Sequence, residues 1–335
     1  MSEQHSASFG WSFAASPVTP LSWQPGDLIL LAGPTGTGKT ALSLDLAERL
    51  IALGHPAEIV NGDAMQLYRG MDIGTAKIPV AERRGIPHHL FDVLEVTETS
   101  TVSHYQRLAR ETIAGLRAQG ITPILVGGSG LYLSAVIHEM HFPGTDPEIR
   151  ARLEAEADQL AREWKTFELW ERLNQQDPAA AAAISAGNVR RVIRALEVIE
   201  ITGKPYSAHL PEAAASWVPT AQFFLDGDRD VLRQRLRVRA EQMWDGGLVE
   251  EVRGLLDRGL REGQTASRAI GYAQAIAVID GTMSVEAGLN QTEALTIRYA
   301  RRQRSWFNRY GEMVRLDYRS DNLAEQVLEY LGLAA

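Results

Sequence analysis

The 335-residue sequence contains no cysteine. Without thiol groups the chain cannot form a disulfide, use a thiolate as nucleophile or bind zinc through cysteine. It also lacks any apolar run close to the ~20 residues that a bilayer-spanning helix needs. The segment before Gly26 has no lysine or arginine, so it does not resemble a signal peptide. We expect a cytoplasmic protein without a membrane anchor, with a flexible tail over residues 1–25.

The chain has an excess of acidic residues, with a formal net charge of −8. Taken alone, this charge argues against a nucleic-acid partner. Positive charge is unevenly distributed, however, with clusters of arginines in three stretches: Arg190 to Arg194, Arg229 to Arg239 and Arg298 to Arg309. Local basic patches, not the average charge, decide contact with a phosphate backbone. Composition leaves two interpretations open, a nucleic-acid surface or solvated helix faces with acidic partners elsewhere.

A glycine-rich motif follows the apolar run Ile29–Ala32. Its residues are Gly33, Pro34, Thr35, Gly36, Thr37, Gly38, Lys39 and Thr40. This G-x-x-x-x-G-K-T pattern between a strand and a helix is typical of a P-loop, whose backbone amides converge on a phosphate. Lys39 brings a positive charge to the outer phosphate, and the Thr40 hydroxyl is placed to bind Mg²⁺. The motif predicts a phosphate ligand without specifying a nucleotide.

Apolar strands alternate with helical patterns over most of the chain. The predicted strands are Asp27–Ala32, Glu58–Asn61, Leu90–Val93, Ile121–Val126, Gln222–Leu225 and Met313–Leu316. The main predicted helices are Ala41–Leu53, Ser103–Gly120, Glu148–Trp170, Asn188–Ile201, Leu248–Leu260, Ala266–Ile279 and Thr292–Tyr310, with others starting at Leu131, Pro178 and Arg229. This alternation indicates an α/β fold with a doubly wound parallel sheet. We expect residues 26–142 and 206–335 to form a P-loop core, and residues 143–205 to form an all-helical insertion.

The acidic partner that an ATP-driven P-loop enzyme needs is missing from its usual place. The most apolar strand, Ile121–Val126, ends in Gly-Gly-Ser rather than an acid. Asp63, after the second strand, is better placed to accept a proton or hold Mg²⁺ through water, although a turn residue there is equally plausible. The loop from Asp72 to Lys77 is either a cover over the phosphate site or a surface connection. We interpret His88-His89 as structural, because adjacent strand residues point to opposite faces.

Several sequence blocks, in order, resemble the tRNA dimethylallyltransferase family. They are Gly33–Thr40, Asp63–Lys77, Ile86–Leu90, Leu125–Tyr132, Arg191 with Arg194–Glu197, Ser267–Tyr272 and Arg301–Phe307. The resemblance covers about Ile29 to Arg309, and the block Asp72–Lys77 is far more specific than a P-loop. The absence of the cysteine- and histidine-bearing zinc module of eukaryotic members favours the bacterial type. The resemblance also implies the P-loop fold.

The resemblance implies transfer of a dimethylallyl group from dimethylallyl diphosphate to N6 of the adenosine directly 3′ of the anticodon. The tRNAs are those that read codons beginning with U, and the partner surface is the anticodon stem-loop. The resemblance also implies a diphosphate ligand for the P-loop, without ATP hydrolysis, and Mg²⁺ at Thr40. Asp63 matches the family's general base, and Arg239 matches its diphosphate-binding arginine. Lys39 and Thr40 would stabilise the leaving diphosphate. We expect a monomer.

Block matching also assigns tRNA contacts. These are Asp63, Ala64, Met65, Gln66, Ser129, Arg150, Arg190, Arg191, Arg194, Arg268, Gly271, Tyr272, Arg301, Arg302, Gln303 and Trp306. Three positions depart from the family pattern: Ala64 replaces a serine, Ile78 is inserted before Pro79, and Ser129 replaces a threonine. The alternatives are an adenylate isopentenyltransferase acting on AMP, ADP or ATP, a P-loop small-molecule kinase, and a non-catalytic RNA-binding module, which would leave Asp63 and the P-loop unexplained.

Overall fold

A computed structural model describes residues 22–140, 142–165, 167–209, 216–309 and 313–333. Residues 1–21 of the predicted tail therefore lie outside the described residues. The elements are β1 (Leu28–Ala32), α1 (Lys39–Ala52), β2 (Ala57–Asn61), β3 (His88–His89), α2 (Val102–Ala118), β4 (Thr122–Gly127), α3 (Gly130–Ile137), α4 (Pro147–Arg162), α5 (Phe167–Gln176), α6 (Pro178–Ala183), α7 (Val189–Thr202), β5 (Thr220–Asp226), α8 (Arg229–Asp245), α9 (Leu248–Leu256), α10 (Tyr272–Ile279), α11 (Val285–Phe307), β6 (Val314–Asp317) and α12 (Leu323–Tyr330).

The six strands form one parallel sheet in the order β3-β2-β4-β1-β5-β6. Every residue of β1 is buried, as expected for a strand covered on both faces. The predicted α/β fold with a doubly wound parallel sheet is confirmed. In the register, Ala32 pairs with Gly127, and Asn61 pairs with Val126. Three strands thus end at the same edge, where ligands collect in such sheets.

The chain separates into two compact units. The first comprises the described residues of Met1–Thr99, Glu111–Ser129 and Pro219–Ala335, and it contains the sheet. Its core includes the buried strand residues Ile29, Leu31 and Phe223. The second comprises the described residues of Ser100–Arg110 and Gly130–Val218. The predicted insertion limits at 143 and 205 stay a prediction.

The second unit is helical around its own apolar core, which contains Leu153, Leu169, Leu173 and Leu196. Asp146 caps α4 by accepting hydrogen bonds from the Glu148 and Ile149 amides, with Pro147 in the first turn. Gly203 ends α7 in the left-handed conformation. In the described parts of the chain, no helix is long and apolar enough to cross a membrane.

Four predicted elements are wrong in extent. Leu90–Val93 is not a strand, because Leu90 and Asp92 have φ of +63° and +56°, and the pairing stops at His89. Glu148–Trp170 is two helices, separated where Trp164 has φ +58°. The other two, Leu248–Leu260 and Ala266–Ile279, are interrupted by glycines with positive φ, Gly259 and Gly271. Left-handed residues end an α-helix.

The last long helix begins earlier than predicted. α11 starts at Val285, and the Ser284 hydroxyl caps it by accepting a hydrogen bond from the Ala287 amide at 3.2 Å. Its predicted end at Tyr310 lies outside the described residues. Ser103, the predicted cap of α2, lies inside that helix, and the hydroxyl of Thr101 accepts the His104 amide instead. The second difference is a cap of the predicted kind, a hydroxyl side chain, that lies two positions earlier in the chain.

Candidate active site

Glycines let the ends of three strands approach one another closely. A Cβ on Gly127 would lie 2.4 Å from the carbonyl oxygen of Gly62, which follows β2. A Cβ on Gly128 would lie 2.8 Å from the carbonyl oxygen of Gly33, which follows β1, and 2.2 Å from Gln303 Nε2. No side chain fits at these contacts without backbone movement. The Gly-Gly-Ser end of β4 therefore brings Asp63 and the P-loop together at the sheet edge.

The P-loop wraps around the start of α1 as its sequence predicts. Gly36 and Gly38 have φ of +83° and +86°, and Gly38 immediately precedes the helix. Lys39 Nζ donates a hydrogen bond to the Pro34 carbonyl oxygen at 2.7 Å, and the buried Thr37 hydroxyl donates to the same oxygen at 2.9 Å. These bonds hold the loop closed on itself, with its amides and the positive end of α1 facing one cavity.

The charge of Lys39 is finely balanced. Burial, and after it the nearby positive charge of Arg239, lower the pKa of Lys39 to about 7, although the carboxylate of Asp63 opposes the shift. A bound anion would oppose the shift in the same way as Asp63 does. A lowered lysine pKa is therefore consistent with a site whose negative charge is supplied by a bound anion rather than by the protein.

Asp63 is held by a turn directly after β2. Its backbone amide donates to the Oδ1 of buried Asn61 at 2.9 Å, and Asn61 Nδ2 donates to the carbonyl oxygens of Asp63 and Leu90, both at 3.0 Å. Oδ1 of Asp63 accepts the Met65 amide at 2.8 Å. The carboxylate thus has one oxygen in a turn, and it lines two cavities. The two interpretations of Asp63, as a turn residue and as a candidate base, are compatible, since the turn fixes the carboxylate.

Arg239 projects from α8 into the same region. Burial lowers the pKa of Arg239, and the negative charge of Asp63 opposes that shift. Its Nη2 donates to the Thr75 carbonyl oxygen at 3.4 Å. No carboxylate is hydrogen-bonded to this guanidinium among the described residues. A half-buried cation with most of its donors uncommitted is a strong candidate for anion binding.

Two cavities meet at these residues. The P-loop cavity has a volume of about 820 Å³ and is lined by the phosphate-binding motif, Asn61, Phe91 and Gln303. The Tyr299 cavity has a volume of about 330 Å³ and is lined by Ala64, Ser129 and Tyr299 among others. Both are lined by Thr35, Asp63, Thr75 and Arg239. A group that leaves one cavity and a group that enters the other would meet beside the Asp63 carboxylate.

Gln303 supports the P-loop from α11. Its side chain is 4% exposed, and Oε1 accepts the Thr35 amide at 2.9 Å. This contact joins residues 268 positions apart, so no local pattern could reveal it. The predicted tRNA contact of Gln303 stays a prediction.

Replacing Gln303 with alanine should leave the Thr35 amide without its partner and loosen the P-loop. An unsatisfied buried donor costs about 1–3 kcal/mol, and we expect the KM for the phosphate-bearing substrate to rise about tenfold. Gln303→Glu serves as the comparison variant, because it keeps the acceptor oxygen for the Thr35 amide and differs from the wild type only by an added negative charge. Titration of each variant with inorganic diphosphate by calorimetry measures the effect; equal affinities in the alanine variant and the wild type would contradict it.

The loop from Asp72 to Lys77 is part of the site rather than a surface connection. Thr75 and Ala76 line the P-loop cavity, and Gln66 Nε2 donates to the Thr75 carbonyl oxygen at 3.1 Å. Lys77 is buried and donates to Oδ1 of Asp72 and Oδ1 of Asp92, both at 2.7 Å. These two ion pairs close the loop at its base.

One residue that the sequence did not reveal holds the other end of this loop. The Glu251 carboxylate on α9 accepts the backbone amides of Asp72, Ile73 and Gly74 at 3.1, 2.7 and 3.3 Å. It also accepts the Tyr272 hydroxyl at 2.6 Å. In the sequence, Glu251 is one acid of the unremarkable helix pattern of α9, and nothing marks it as a partner of the loop.

Some of the predicted tRNA contacts of the first unit line the Tyr299 cavity, whereas Gln66, Gly271, Arg301, Gln303 and Trp306 do not. Ser129 and Tyr299 share a hydrogen bond of 3.2 Å between their hydroxyl oxygens, and Arg302 lies 5.7 Å from the Tyr299 ring centroid. Burial raises the pKa of Tyr299 to about 12, and the Asp63 charge acts in the same direction. The cavity is also lined by Ala64, Met65, Arg268 and Tyr272. Gly271 is buried, Arg301 is exposed, and Trp306 is half-buried.

Tyr272 differs from Arg268 and Arg302, which are exposed, because its side chain is fully buried. Burial raises the pKa of Tyr272, and the negative charge of Glu251 raises it further. The hydroxyl therefore stays protonated and serves as a donor to Glu251. Its predicted contact with tRNA stays a prediction.

The second unit carries the remaining predicted tRNA contacts. Arg150 and Arg194 both hydrogen-bond to the fully buried carboxylate of Glu197, the second at 2.7 Å. Burial alone would raise the pKa of Glu197, but the hydrogen bonds from the two arginines lower it. Arg190 and Arg191, at the start of α7, are exposed. The four arginines thus divide into two that support the unit's interior and two that face solvent.

No ready-made metal cluster supplements the P-loop. In the described part of the chain, no group of three or more histidine, aspartate or glutamate residues could hold a metal ion. His89 Nε2 lies 2.6 Å from a Glu58 carboxylate oxygen, and His88 Nδ1 lies 2.8 Å from the Ile86 carbonyl oxygen. Burial lowers the pKa of His88, so its Nδ1 donates as a neutral imidazole. These contacts agree with the structural interpretation of the pair.

Comparison with known proteins decides among families that share a P-loop. The family model described as IPP transferase matches residues 66–310. This chain belongs to the IPP transferase family. A tRNA dimethylallyltransferase of Clavibacter sepedonicus is 54% identical over 307 residues, covering 92% of this chain and 98% of that protein. A protein of the same name from Thermobifida fusca is 51% identical over 299 residues, covering 89% and 92%.

A solved structure extends the comparison to the fold. The crystal structure of the full-length tRNA isopentenylpyrophosphate transferase from Bacillus halodurans is 37% identical, with a TM-score of 0.65. It covers 92% of this chain and 96% of that one. The resemblance of the motif blocks to the tRNA dimethylallyltransferase family is thereby confirmed. The P-loop precedes the matched region of the IPP transferase model, so its place beside Asp63 and Arg239 rests on the structure.

Proposed function

We propose that this IPP transferase family member is a tRNA dimethylallyltransferase. It transfers the dimethylallyl group of dimethylallyl diphosphate to N6 of the adenosine directly 3′ of the anticodon, in tRNAs that read codons beginning with U. Diphosphate is released. The observation that carries the proposal is the meeting of two cavities at Asp63 and Arg239, one with a P-loop and one with a mainly apolar lining that includes Tyr299.

The donor occupies the P-loop cavity. Its diphosphate accepts hydrogen bonds from the backbone amides of Gly36 to Thr40 and faces the Lys39 and Arg239 side chains. Both cations lack a carboxylate hydrogen-bond partner among the described residues, and the pKa of each is lowered by burial. An anion carrying several negative charges would reverse this desolvation cost. The chemistry of the site thus fits a diphosphate leaving group better than a neutral ligand.

The acceptor adenine occupies the Tyr299 cavity. A base within a stem-loop reaches such a pocket only after leaving its stack. The Tyr299 ring and Arg302 offer a stacking surface, and Ser129 offers a hydroxyl. Ala64 provides no hydroxyl where the family usually has serine, so recognition of the base relies on the remaining polar groups. Asp63, which lines both cavities, then serves as the proton acceptor for the incoming amine.

The reaction follows from where charge develops. The allylic C–O bond of the donor breaks and its electron pair stays on the diphosphate, while the N6 lone pair forms the new C–N bond. The N6 proton passes to an Asp63 carboxylate oxygen. Arg239, Lys39 and the P-loop amides stabilise the growing diphosphate charge. Because no phosphoryl group is transferred, the missing acid after β4 leaves no gap in this mechanism.

We include Mg²⁺ as the cofactor. The ion commonly keeps several waters and binds substrate phosphates through only one or two protein oxygens. The Thr40 side chain lines the P-loop cavity at the start of α1, and no acidic cluster is needed for such a site. When bound through Thr40, Mg²⁺ would neutralise part of the charge of the leaving diphosphate.

A direct assay tests the function. Purified protein is given labelled dimethylallyl diphosphate with unmodified tRNA, then with AMP, ADP or ATP as acceptor, each with and without Mg²⁺. We expect label in tRNA only, and no dependence on ATP. Label in free nucleotide would favour an adenylate isopentenyltransferase, and turnover that consumes ATP would favour a kinase. We further propose that the enzyme acts as a monomer, since one chain supplies all residues named above. Analytical ultracentrifugation under assay conditions measures its mass.

The two exposed arginines of α7 provide a prediction about RNA binding. Arg191→Gln should weaken binding of an anticodon stem-loop several-fold and reduce the slope of log affinity against log salt by about 0.7–0.9 for one lost phosphate contact. Filter binding at several salt concentrations measures both quantities. Arg152→Gln is the matched control, because Arg152 lies in the same unit and pairs with Glu200 at 2.5 Å.

Arg194→Gln should behave differently from Arg191→Gln. It leaves the buried Glu197 carboxylate short of a partner, which costs about 3–5 kcal/mol for a buried pair, so the thermal unfolding midpoint should fall. If Arg191→Gln also lowers that midpoint, or leaves the salt slope unchanged, the assignment of an exposed RNA-binding role to Arg191 is wrong.

A further inference from the structure

The Glu251 carboxylate collects four donors at one point. Three are consecutive backbone amides, from Asp72 to Gly74, and the fourth is the Tyr272 hydroxyl. Consecutive amides that converge on one acceptor form an anion-binding concavity of the kind that elsewhere holds phosphate. Here the protein's own carboxylate fills it, so this loop is fixed in place by α9 rather than left to bind a ligand.

Packing around Gly74 leaves the loop little freedom. A Cβ on Gly74 would lie 2.5 Å from the Tyr272 ring and 2.8 Å from the Leu248 side chain. At the other end of the loop, Lys77 is tied to Asp72, Asp92 and the Tyr68 carbonyl oxygen. The backbone between these two anchors sets the position of the Thr75 carbonyl oxygen in the site.

That carbonyl oxygen is where the loop meets Arg239. It accepts hydrogen bonds from Arg239 Nη2 at 3.4 Å and from Gln66 Nε2 at 3.1 Å. Among the described residues, Thr75 provides the hydrogen bond that orients the Arg239 guanidinium. A contact chain therefore runs from Glu251 through the loop amides and the Thr75 carbonyl to the guanidinium at the junction of the two cavities.

We propose that Glu251 is a positioning residue that sets the orientation of Arg239 toward the leaving diphosphate, acting through the Asp72–Thr75 backbone. Glu251 lines neither cavity. We expect the main effect on the donor, because the loop carbonyl of Thr75 accepts a hydrogen bond from Arg239. The proposal rests on the proposed function for its kinetic readout but not for its binding readout.

The variant Glu251→Gln tests the proposal in the full-length enzyme. A carboxamide has one acceptor oxygen, and its NH₂ group would face donors, so at least one loop amide or the Tyr272 hydroxyl loses its partner. We expect the KM for dimethylallyl diphosphate to rise about tenfold and kcat to fall about tenfold, while the KM for tRNA stays within about twofold. Glu250→Gln is the matched control, because Glu250 is an exposed neighbour on α9 whose ion-pair contact with Arg253 is 3.7 Å.

A double-mutant cycle separates positioning from general support of the fold. If Glu251 acts through Arg239, adding Glu251→Gln to an Arg239→Gln background should reduce activity by less than about twofold further. Full additive losses would overturn the proposal, as would equal increases of both KM values. Tyr272→Phe removes one donor and leaves the carboxylate with its three amides, so it should show a smaller loss of the same kind; it also serves if Glu251→Gln fails to fold.

Binding of inorganic diphosphate gives a readout that does not depend on the prenyl transfer reaction. Glu251→Gln should weaken it about tenfold by calorimetry, and Glu250→Gln should leave it unchanged. If the wild-type protein binds diphosphate but does not modify tRNA, the proposed function fails and the positioning proposal still stands on this measurement. If Glu251→Gln binds diphosphate as tightly as the wild type, the positioning proposal fails whatever the activity.

Discussion

Asp63→Asn is expected to lower kcat for tRNA prenylation by about 10²–10⁴-fold, the usual contribution of a positioned general base. The substitution removes the proton-accepting charge and little else. Asparagine keeps an Oδ1 that can accept the Met65 amide, and the Asp63 backbone contacts with Asn61 do not involve the changed side chain. Single-turnover rates with bound tRNA and dimethylallyl diphosphate measure the chemical step directly.

Binding measurements decide how this loss is interpreted. The affinities of Asp63→Asn for an anticodon stem-loop and for inorganic diphosphate should remain within a fewfold of the wild type, because Lys39, Arg239 and the P-loop are unchanged. Asp63→Ala also removes the Oδ1 acceptor of the turn, so any further loss relative to asparagine reports positioning of the loop after β2. An asparagine variant that retains more than a tenth of the wild-type rate would exclude Asp63 as the base.

The parts of the site that are local in sequence were predictable. The P-loop needs only consecutive residues, and its glycines Gly36 and Gly38 adopt positive φ in the structure. The strand before it and Asp63 after β2 follow from short apolar runs and from the rule that strand ends collect at one edge. The sequence also indicated that the usual acid after β4 is replaced by Gly127-Gly128, and the structure supplies the reason, which is backbone contact with Gly62 and Gly33.

The supports of the site are long-range and were not predictable. Gln303 reaches the P-loop across 268 residues, and Glu251 reaches Ile73 across 178 residues. Glu251 has no local signature as one polar residue among several, and Gln303 was matched by resemblance only as a tRNA contact, not as a partner of the P-loop. The strand predicted at Leu90–Val93 failed for a related reason. Its left-handed residues Leu90 and Asp92 are accompanied by contacts from Asn61 and Lys77, which lie far away in sequence.

Resemblance to a family assigned roles that geometry alone does not separate. Tyr272 and Arg268 both match tRNA-contact positions, yet Tyr272 is fully buried and bonded to Glu251, while Arg268 is exposed. Arg194 likewise matches a contact position and pairs with the buried Glu197. Residues matched by block can therefore act by shaping the surface that others present, and the variants proposed above distinguish the two roles.

Arg239→Gln is the second change with a large expected effect. Removing one preorganised donor that faces developing negative charge typically costs about 10²–10³-fold in kcat, and here the lost group is a half-buried cation at the junction of both cavities. Arg239→Lys should recover only part of the loss, because an ammonium group cannot bind the Thr75 carbonyl oxygen and the diphosphate with the same planar geometry. Steady-state kinetics with varied dimethylallyl diphosphate measure both variants.

The same helix provides the control for charge. Arg237 lies two residues from Arg239 on α8, is 66% exposed and pairs with Glu241 at 3.1 Å. Arg237→Gln removes the same formal charge from the chain, so it should change kcat and the donor KM by less than about twofold. If both variants lose activity equally, the net charge of the helix is responsible rather than a directed contact. If Arg239→Gln instead raises only the KM for tRNA, Arg239 serves the acceptor and the diphosphate must be held by the P-loop and Lys39 alone.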